Sequence, residues 1–225
     1  MDVFLVPVRR DAYELYCEHV DEPEAHAAEP PAGFFARMRY RFHQMLAEAE
    51  RERRQDGSAV RGGGWLVRAK RRMMRWVAES IAEQRLLWNL RRYEEAVLHY
   101  PDDLDEPAAE RLMRQQLSRD FEKHRFWLAI DSILMLLSGL LILVPGPNVI
   151  GYYFAFRVVG HFFSVRGASN GLSRVKWTTV ASGPLTALRG ALSMDAAGRL
   201  QVAESVASLL RLDHLATFFQ RTAAS

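Results

Sequence analysis

From Phe126 to Val165 the chain is more continuously apolar than anywhere else. Phe126–Val144 holds 19 residues with one charge, Asp131, near its start. Val149–Val165 holds 17, interrupted by Arg157 and His161, and Pro145-Gly146-Pro147-Asn148 separates the two runs. Proline fixes φ and gives no N–H, while Gly and Asn accept the left-handed conformations of tight turns, so the runs fold back as an antiparallel helical hairpin. About 20 residues at about 1.5 Å each cross the roughly 30 Å of bilayer hydrocarbon, so each run is close to a membrane span.

With the hairpin centred near Gly146, Asp131 lies level with His161, and Arg157 lies one helical turn nearer the tip. A carboxylate facing a His and an Arg neutralises itself. Unpaired, each central charge would add about 2.5–3.5 kcal/mol to membrane insertion. Tyr152 and Tyr153 near the tip and Trp127 near the base suit interfacial belts. Arg111, Arg114, Arg119, Lys123 and Arg125 precede the hairpin and Arg166, Arg174 and Lys176 follow it, whereas the tip is uncharged. The positive-inside rule therefore keeps both ends on the cytoplasmic side, or the matrix side in an organelle. The same pattern also fits a hairpin buried in a helical bundle, with Asp131–Arg157 as a core ion pair. Under either reading the three polar groups are a proton or ion relay, or a lock between two helices.

Around the hairpin the patterning is mostly helical. Val3–Val8 and Ala12–Val20, joined by Arg9-Arg10-Asp11, read as a two-stranded ribbon that must pack on something else. Asp21–Pro31 is acidic and Pro-rich, a linker. Phe34, Phe35, Met38, Phe42, Met45 and Leu46 mark one face of a helix over Gly33–Arg54. A second helical run covers Trp65–Tyr100 and stops at Pro101. A third starts at Glu106-Pro107, a favoured first-turn pair, and continues to Pro145. Ala168–Gly171 reads as a polar connection, followed by a short helix after Pro184 and amphipathic runs at Asp195–Leu210 and Asp213–Arg221. The expected class is mainly α: a helical bundle with a hydrophobic helical hairpin and a small N-terminal β-hairpin. Its segments are a ribbon (1–20), a linker (21–32), a soluble helical region (33–125), the hairpin (126–165) and a C-terminal helical region (166–225).

Composition changes this picture little. Thirty Lys+Arg against 27 Asp+Glu leave a net charge of +3, too weak an excess to argue for nucleic acid. The single cysteine, Cys17, excludes an intramolecular disulfide and a Cys-based metal site. The N-terminus has no signal-peptide or transit-peptide pattern. Arg68, Lys70, Arg71, Arg72 and Arg75, interleaved with Trp65, Met73, Met74 and Trp76, form a basic amphipathic stretch. It suits a helix lying on anionic lipid, or a solvated basic face. Gly62-Gly63-Gly64 is a flexible joint without phosphate-loop spacing. His43, His99, His124 and His214 lack metal-ligand spacing. No nucleophile elbow or paired-carboxylate cleft appears. The sequence therefore points to no enzyme, no metal and no cofactor.

The run PGPNVIGYYFAFRVVGHFFSVRGASNG (Pro145–Gly171) resembles the signature of the mitochondrial potassium–proton exchange-related family, which also has bacterial members. The matching positions are Pro145, Pro147, Asn148, Tyr153, Arg157, His161, Arg166, Gly167 and Ala168. VFLVPV near the N-terminus and Glu83–Pro101 look like further matching blocks. The resemblance implies a membrane-associated component or regulator of potassium–proton exchange, rather than the carrier. Two short helices cannot enclose a pathway in one copy, so its partners would be membrane lipids and a larger transporter or further copies of itself. The Arg/Ala-rich composition favours a bacterial inner-membrane member, with the mitochondrial inner membrane as the eukaryotic equivalent. The rival reading is a non-transport scaffold docking lipids or partners through basic amphipathic helices.

Overall fold

The computed structural model describes residues 1–18, 86–139 and 149–223. The chain divides into two units, Met1–His19 with Leu86–Ser225, and Val20–Arg85. The expected linker, the helix over Gly33–Arg54, the glycine joint, the basic stretch Arg68–Arg75 and the hairpin turn Pro145–Asn148 all lie outside the described residues.

Strand β1 (Asp2–Arg9) is buried from Val3 to Val8, the continuous apolar run expected of a strand covered on both faces. It pairs antiparallel with β2 (Ala12–Tyr16), which gives the expected N-terminal ribbon. The ribbon is part of a larger sheet, of order β2-β1-β3-β4, in which β3 (Glu95–Pro101) is parallel to β1 and to β4 (Lys176–Ser182).

Two helical expectations are corrected here. The run read as helix to Tyr100 is helical over 86–90 and then becomes β3. Ala96 and Leu98 are buried there in strict alternation, and pairing with β1 on one side and β4 on the other overrides the local preference of Glu, Ala and Leu. The C-terminal region 166–225, expected to be helical after a connection at Ala168–Gly171, contains β4, whose Trp-Thr-Thr-Val core suits an edge strand.

Parallel neighbours need a long crossover, and here it is the hairpin itself: α1 (Glu106–Gly139) and α2 (Val149–Ser173) connect β3 to β4. Ala168–Gly171 lies inside α2 rather than forming a connection, because its small residues let neighbours approach closely. On this face Val3, Leu5, Ala96 and Leu98 pack against Leu87, Leu90, Ala109, Met113, Leu117 and Ala168. The opposite face, Phe4 and Val6 included, is covered by α3 (Gly183–Ala191), α4 (Ala196–Leu210) and α5 (Leu215–Ala223), through Leu185, Leu188, Val206, Leu215 and Phe219.

Sheet-facing core residues of α1 end at Phe121. Beyond that point the helix carries exposed Phe126, Ile133, Leu136 and Leu137, with Phe162 exposed on α2; Leu136 reaches 72%. Among the described residues, no helix is long and apolar enough to cross a membrane. The expected span over 126–165 is not found there because the helices do not follow its limits. α1 begins 20 residues earlier, with a charged half that packs on the sheet, and α2 carries Arg157, His161 and Arg166. The most apolar centre of the expected hairpin, 140–148, is outside the described residues.

Candidate functional site

Within the hairpin, α1 turns Met113, Leu117, His124 and Asp131 inward at spacings of four and seven residues, and α2 answers with Arg157, His161, Ser164 and Ala168. Positions three, four or seven apart share one helical face. The layers nearest the sheet are apolar, with Leu117 against Gly171. The layers further out are polar.

Asp131 is 1% exposed and sits at the centre of this polar stretch. Arg157 Nε donates to its Oδ2 at 2.8 Å, and His161 Nε2 stands 3.3 Å from the same oxygen. On the other side of the imidazole, His161 Nδ1 lies 2.8 Å from His124 Nδ1. The Arg157 guanidinium also lies over the rings of Trp127 and Tyr153, at 5.4 and 5.9 Å. Asp131, Arg157 and His161, singled out in the sequence, thus meet. Both contacts converge on one carboxylate oxygen, the longer Arg157 side chain reaching it from one helical turn away.

The fourth member, His124, escapes a reading of the apolar run because it precedes that run, beside Lys123 and Arg125. Its signal is the spacing of seven residues from Asp131, two turns along the same face. Burial, the adjacent His161 and Lys123 push His124 down to about 4, so its imidazole is neutral at pH 7. Two ring nitrogens 2.8 Å apart must share one hydrogen. With His161 Nε2 turned to a carboxylate, the consistent assignment places a hydrogen there and leaves Nδ1 to accept from His124 Nδ1–H. The result is a chain, Arg157–Asp131–His161–His124, buried between two helices.

A second constellation fixes α2 next to this chain. The Trp88 indole N–H lies 3.1 Å from the Gly160 carbonyl oxygen and 3.0 Å from Ser164 Oγ. Asn170 Nδ2 donates to the Leu90 and Tyr93 carbonyls at 2.7 and 3.0 Å. Arg91 lies 4.0 Å over the Phe163 ring. A Cβ on Gly167 would come within 1.6 Å of the Leu87 carbonyl oxygen, so only glycine permits this approach. Residues 86–93 are thus clamped along α2 from Gly160 to Asn170. Trp88 and Asn170 were not anticipated as site residues. Of the remaining motif positions, Ala168 is buried in the core and Arg166 is exposed. Pro145, Pro147 and Asn148, like Arg68, Lys70, Arg71, Arg72 and Arg75, lie outside the described residues. Among the described residues no group of three or more His, Cys, Asp or Glu could hold a metal ion.

Residues 2–174 match the family described as mitochondrial K+-H+ exchange-related. This chain belongs to that family. Searches of curated proteins and of solved structures found no match. The family match takes in β1, β2, β3, α1 and α2, and with them every member of the polar chain and of the clamp on α2. It ends before β4 and the three helices that cover the second face of the sheet.

Proposed function

We propose that this member of the K+-H+ exchange-related family is a membrane-associated component or regulator of potassium–proton exchange, and that the buried chain in its hairpin is the part that responds to protons. The observation that carries the reading is the chain itself. A carboxylate, a guanidinium and two imidazoles are placed in contact inside the family-matched region, where apolar packing would otherwise serve. Groups of this kind between helices are expensive to bury and mark sites of ion or proton chemistry. The exposed apolar flank of the hairpin supports contact with lipid. Phe126, Ile133, Leu136 and Leu137 lie exposed along one side of α1, Phe162 is exposed on α2, and Arg119, Lys123 and Arg125 stand towards the base. One copy of the hairpin cannot enclose a pathway, so the protein works with a larger transporter or with further copies of itself.

Membrane vesicles from cells with and without the protein test this reading. A potassium gradient should drive proton movement at a rate that changes when the protein is removed. Identical rates would overturn it. The same apolar flank favours a second reading, a scaffold that docks lipid or a partner without touching exchange. Alkaline carbonate extraction that leaves the protein in the membrane pellet, with flux unaffected by its removal, would favour the scaffold.

A further inference from the structure

We infer that His124, His161 and Asp131 form a path along which a proton moves by exchange of histidine tautomers, with His161 as the carrier. The inference rests on the reading of the polar chain as the proton-responsive part. It adds His124 and with it the line of travel, between the sheet end of the hairpin and Asp131. From His124 to Asp131 the path runs along seven residues of α1, roughly 10 Å at the helical rise.

The arrangement extends beyond the ion pair. Arg157 at 2.8 Å supplies the counter-charge for Asp131, and a buried carboxylate accepts further donors besides it. His161 adds its Nε2 at 3.3 Å and carries the chain onward to a second buried imidazole at 2.8 Å. A neutral imidazole with an accepting carboxylate at one nitrogen and a donor at the other can accept on one side and release on the other without moving. Water delivers a proton to His124 Nε2, and His124 passes its Nδ1 hydrogen to His161 Nδ1. His161 releases its Nε2 hydrogen to Asp131 Oδ2, which becomes a neutral carboxyl and loosens its pairing with Arg157. One proton has moved from water to Asp131, and both rings have changed tautomer. Rotation of the rings, or a proton returning, resets them.

Other charged groups frame the path without interrupting it. Lys123 adjoins His124 on α1, and Asp120 lies one turn earlier, near Glu14 of β2. From the segment before β3, Trp88 holds Gly160 and Ser164 on either side of His161 in the α2 sequence, and Arg91 is engaged with Phe163. Protonated Lys123 disfavours a resting charge on His124, as suits a relay that holds protons only in passing.

Nitrogen-15 NMR of the histidines in the full-length protein tests the path without reference to transport. At neutral pH His161 should carry its hydrogen on Nε2 and His124 on Nδ1; the reverse pair of tautomers overturns the inference. Exchange of the His161 Nε2 hydrogen with water should slow at least tenfold in His124→Gln. A glutamine amide can still donate to His161 Nδ1 but cannot pass a proton on. An unchanged or faster rate, with backbone resonances preserved, overturns the path by showing that water reaches His161 another way. If His124→Gln disturbs the fold, His124→Asn is measured in its place, with the same slowing expected and an unchanged or faster rate overturning the path. Slowed exchange with unaltered potassium-driven flux in vesicles would leave the path standing and remove the exchange reading.

Discussion

Replacing Gly167 with alanine would place a methyl group 1.6 Å from the Leu87 carbonyl oxygen, 2.5 Å from its carbon and 3.1 Å from its Cα. All three atoms are backbone, so no side chain can rotate away. A carbon meets a carbonyl oxygen comfortably at roughly 3.3 Å or more, so α2 and residues 86–90 would have to separate by about 1.7 Å. That movement breaks the bonds that hold them: two donated by Asn170 and those of the Trp88 indole. At about 1 kcal/mol each, these bonds account for roughly 2–4 kcal/mol. Loosening the packing of Leu87 and Leu90 adds about 2 kcal/mol or more. The total, roughly 4–6 kcal/mol, is comparable with the whole stability of a typical domain at about 5–15 kcal/mol. Two other glycines calibrate the argument. At Gly190 in α3 a Cβ meets nothing within 4 Å, so alanine should be neutral or stabilise by up to about 1 kcal/mol through helix propensity. At Gly171 the obstacles are the side-chain tips of Leu117 and Leu90 at 3.2 Å, which can yield, so the cost falls between the two. Equilibrium urea titration followed by circular dichroism gives the order directly. Gly167→Ala within 1 kcal/mol of the unaltered chain would refute the close approach, and with it the clamp that positions α2.

Asp131→Asn should cost about 3–5 kcal/mol, because it leaves the Arg157 guanidinium without its buried counter-charge, whereas the paired change Asp131→Leu with Arg157→Met should recover most of the loss; urea titration of both variants checks the contrast. For His124, held down to about 4, the unfolded chain takes up a proton between pH 6.5 and that value while the native protein does not. Stability is therefore full above pH 6.5 and falls by up to about 3 kcal/mol on account of His124 as pH drops through the window; His161, lowered chiefly by burial, adds to the fall in the same sense, so His124→Gln should reduce the slope without abolishing it. Asp120, its carboxyl pushed up by burial, acts in the opposite sense just above pH 3.8, and cancels when the two titrations are subtracted. Ile133→Ser, Leu136→Ser and Leu137→Ser together should leave stability within about 1 kcal/mol, since these side chains are exposed, but release the protein from membranes into the alkaline carbonate supernatant. Retention in the pellet would remove this flank from the account of membrane association.

The polar core was legible because three titratable residues interrupt the most apolar stretch of the chain, and a hairpin turn fixes which of them face one another. His124 was not, since it stands among Lys123, Arg125 and other charges that read as a solvated helix face. The strand β3 was hidden for a different reason. Its residues follow a helical run without a breaker, and what makes them a strand is pairing with β1 and β4, neither of which is adjacent in sequence. The motif around Gly167 and the block around Trp88 were each visible, but the contact between them was not. Asn170 and Leu90 are 80 positions apart, and nothing local in either block points to the other.

Potassium-driven proton flux in vesicles that carry the protein at matched levels, with and without His161→Gln, tests the central claim most directly. The glutamine can keep a partner on both sides while ending proton transfer through the ring. The account predicts that the substituted protein stays folded and membrane-bound, and that flux shifts to the level seen when the protein is absent. Flux equal to that of the unaltered protein would contradict it.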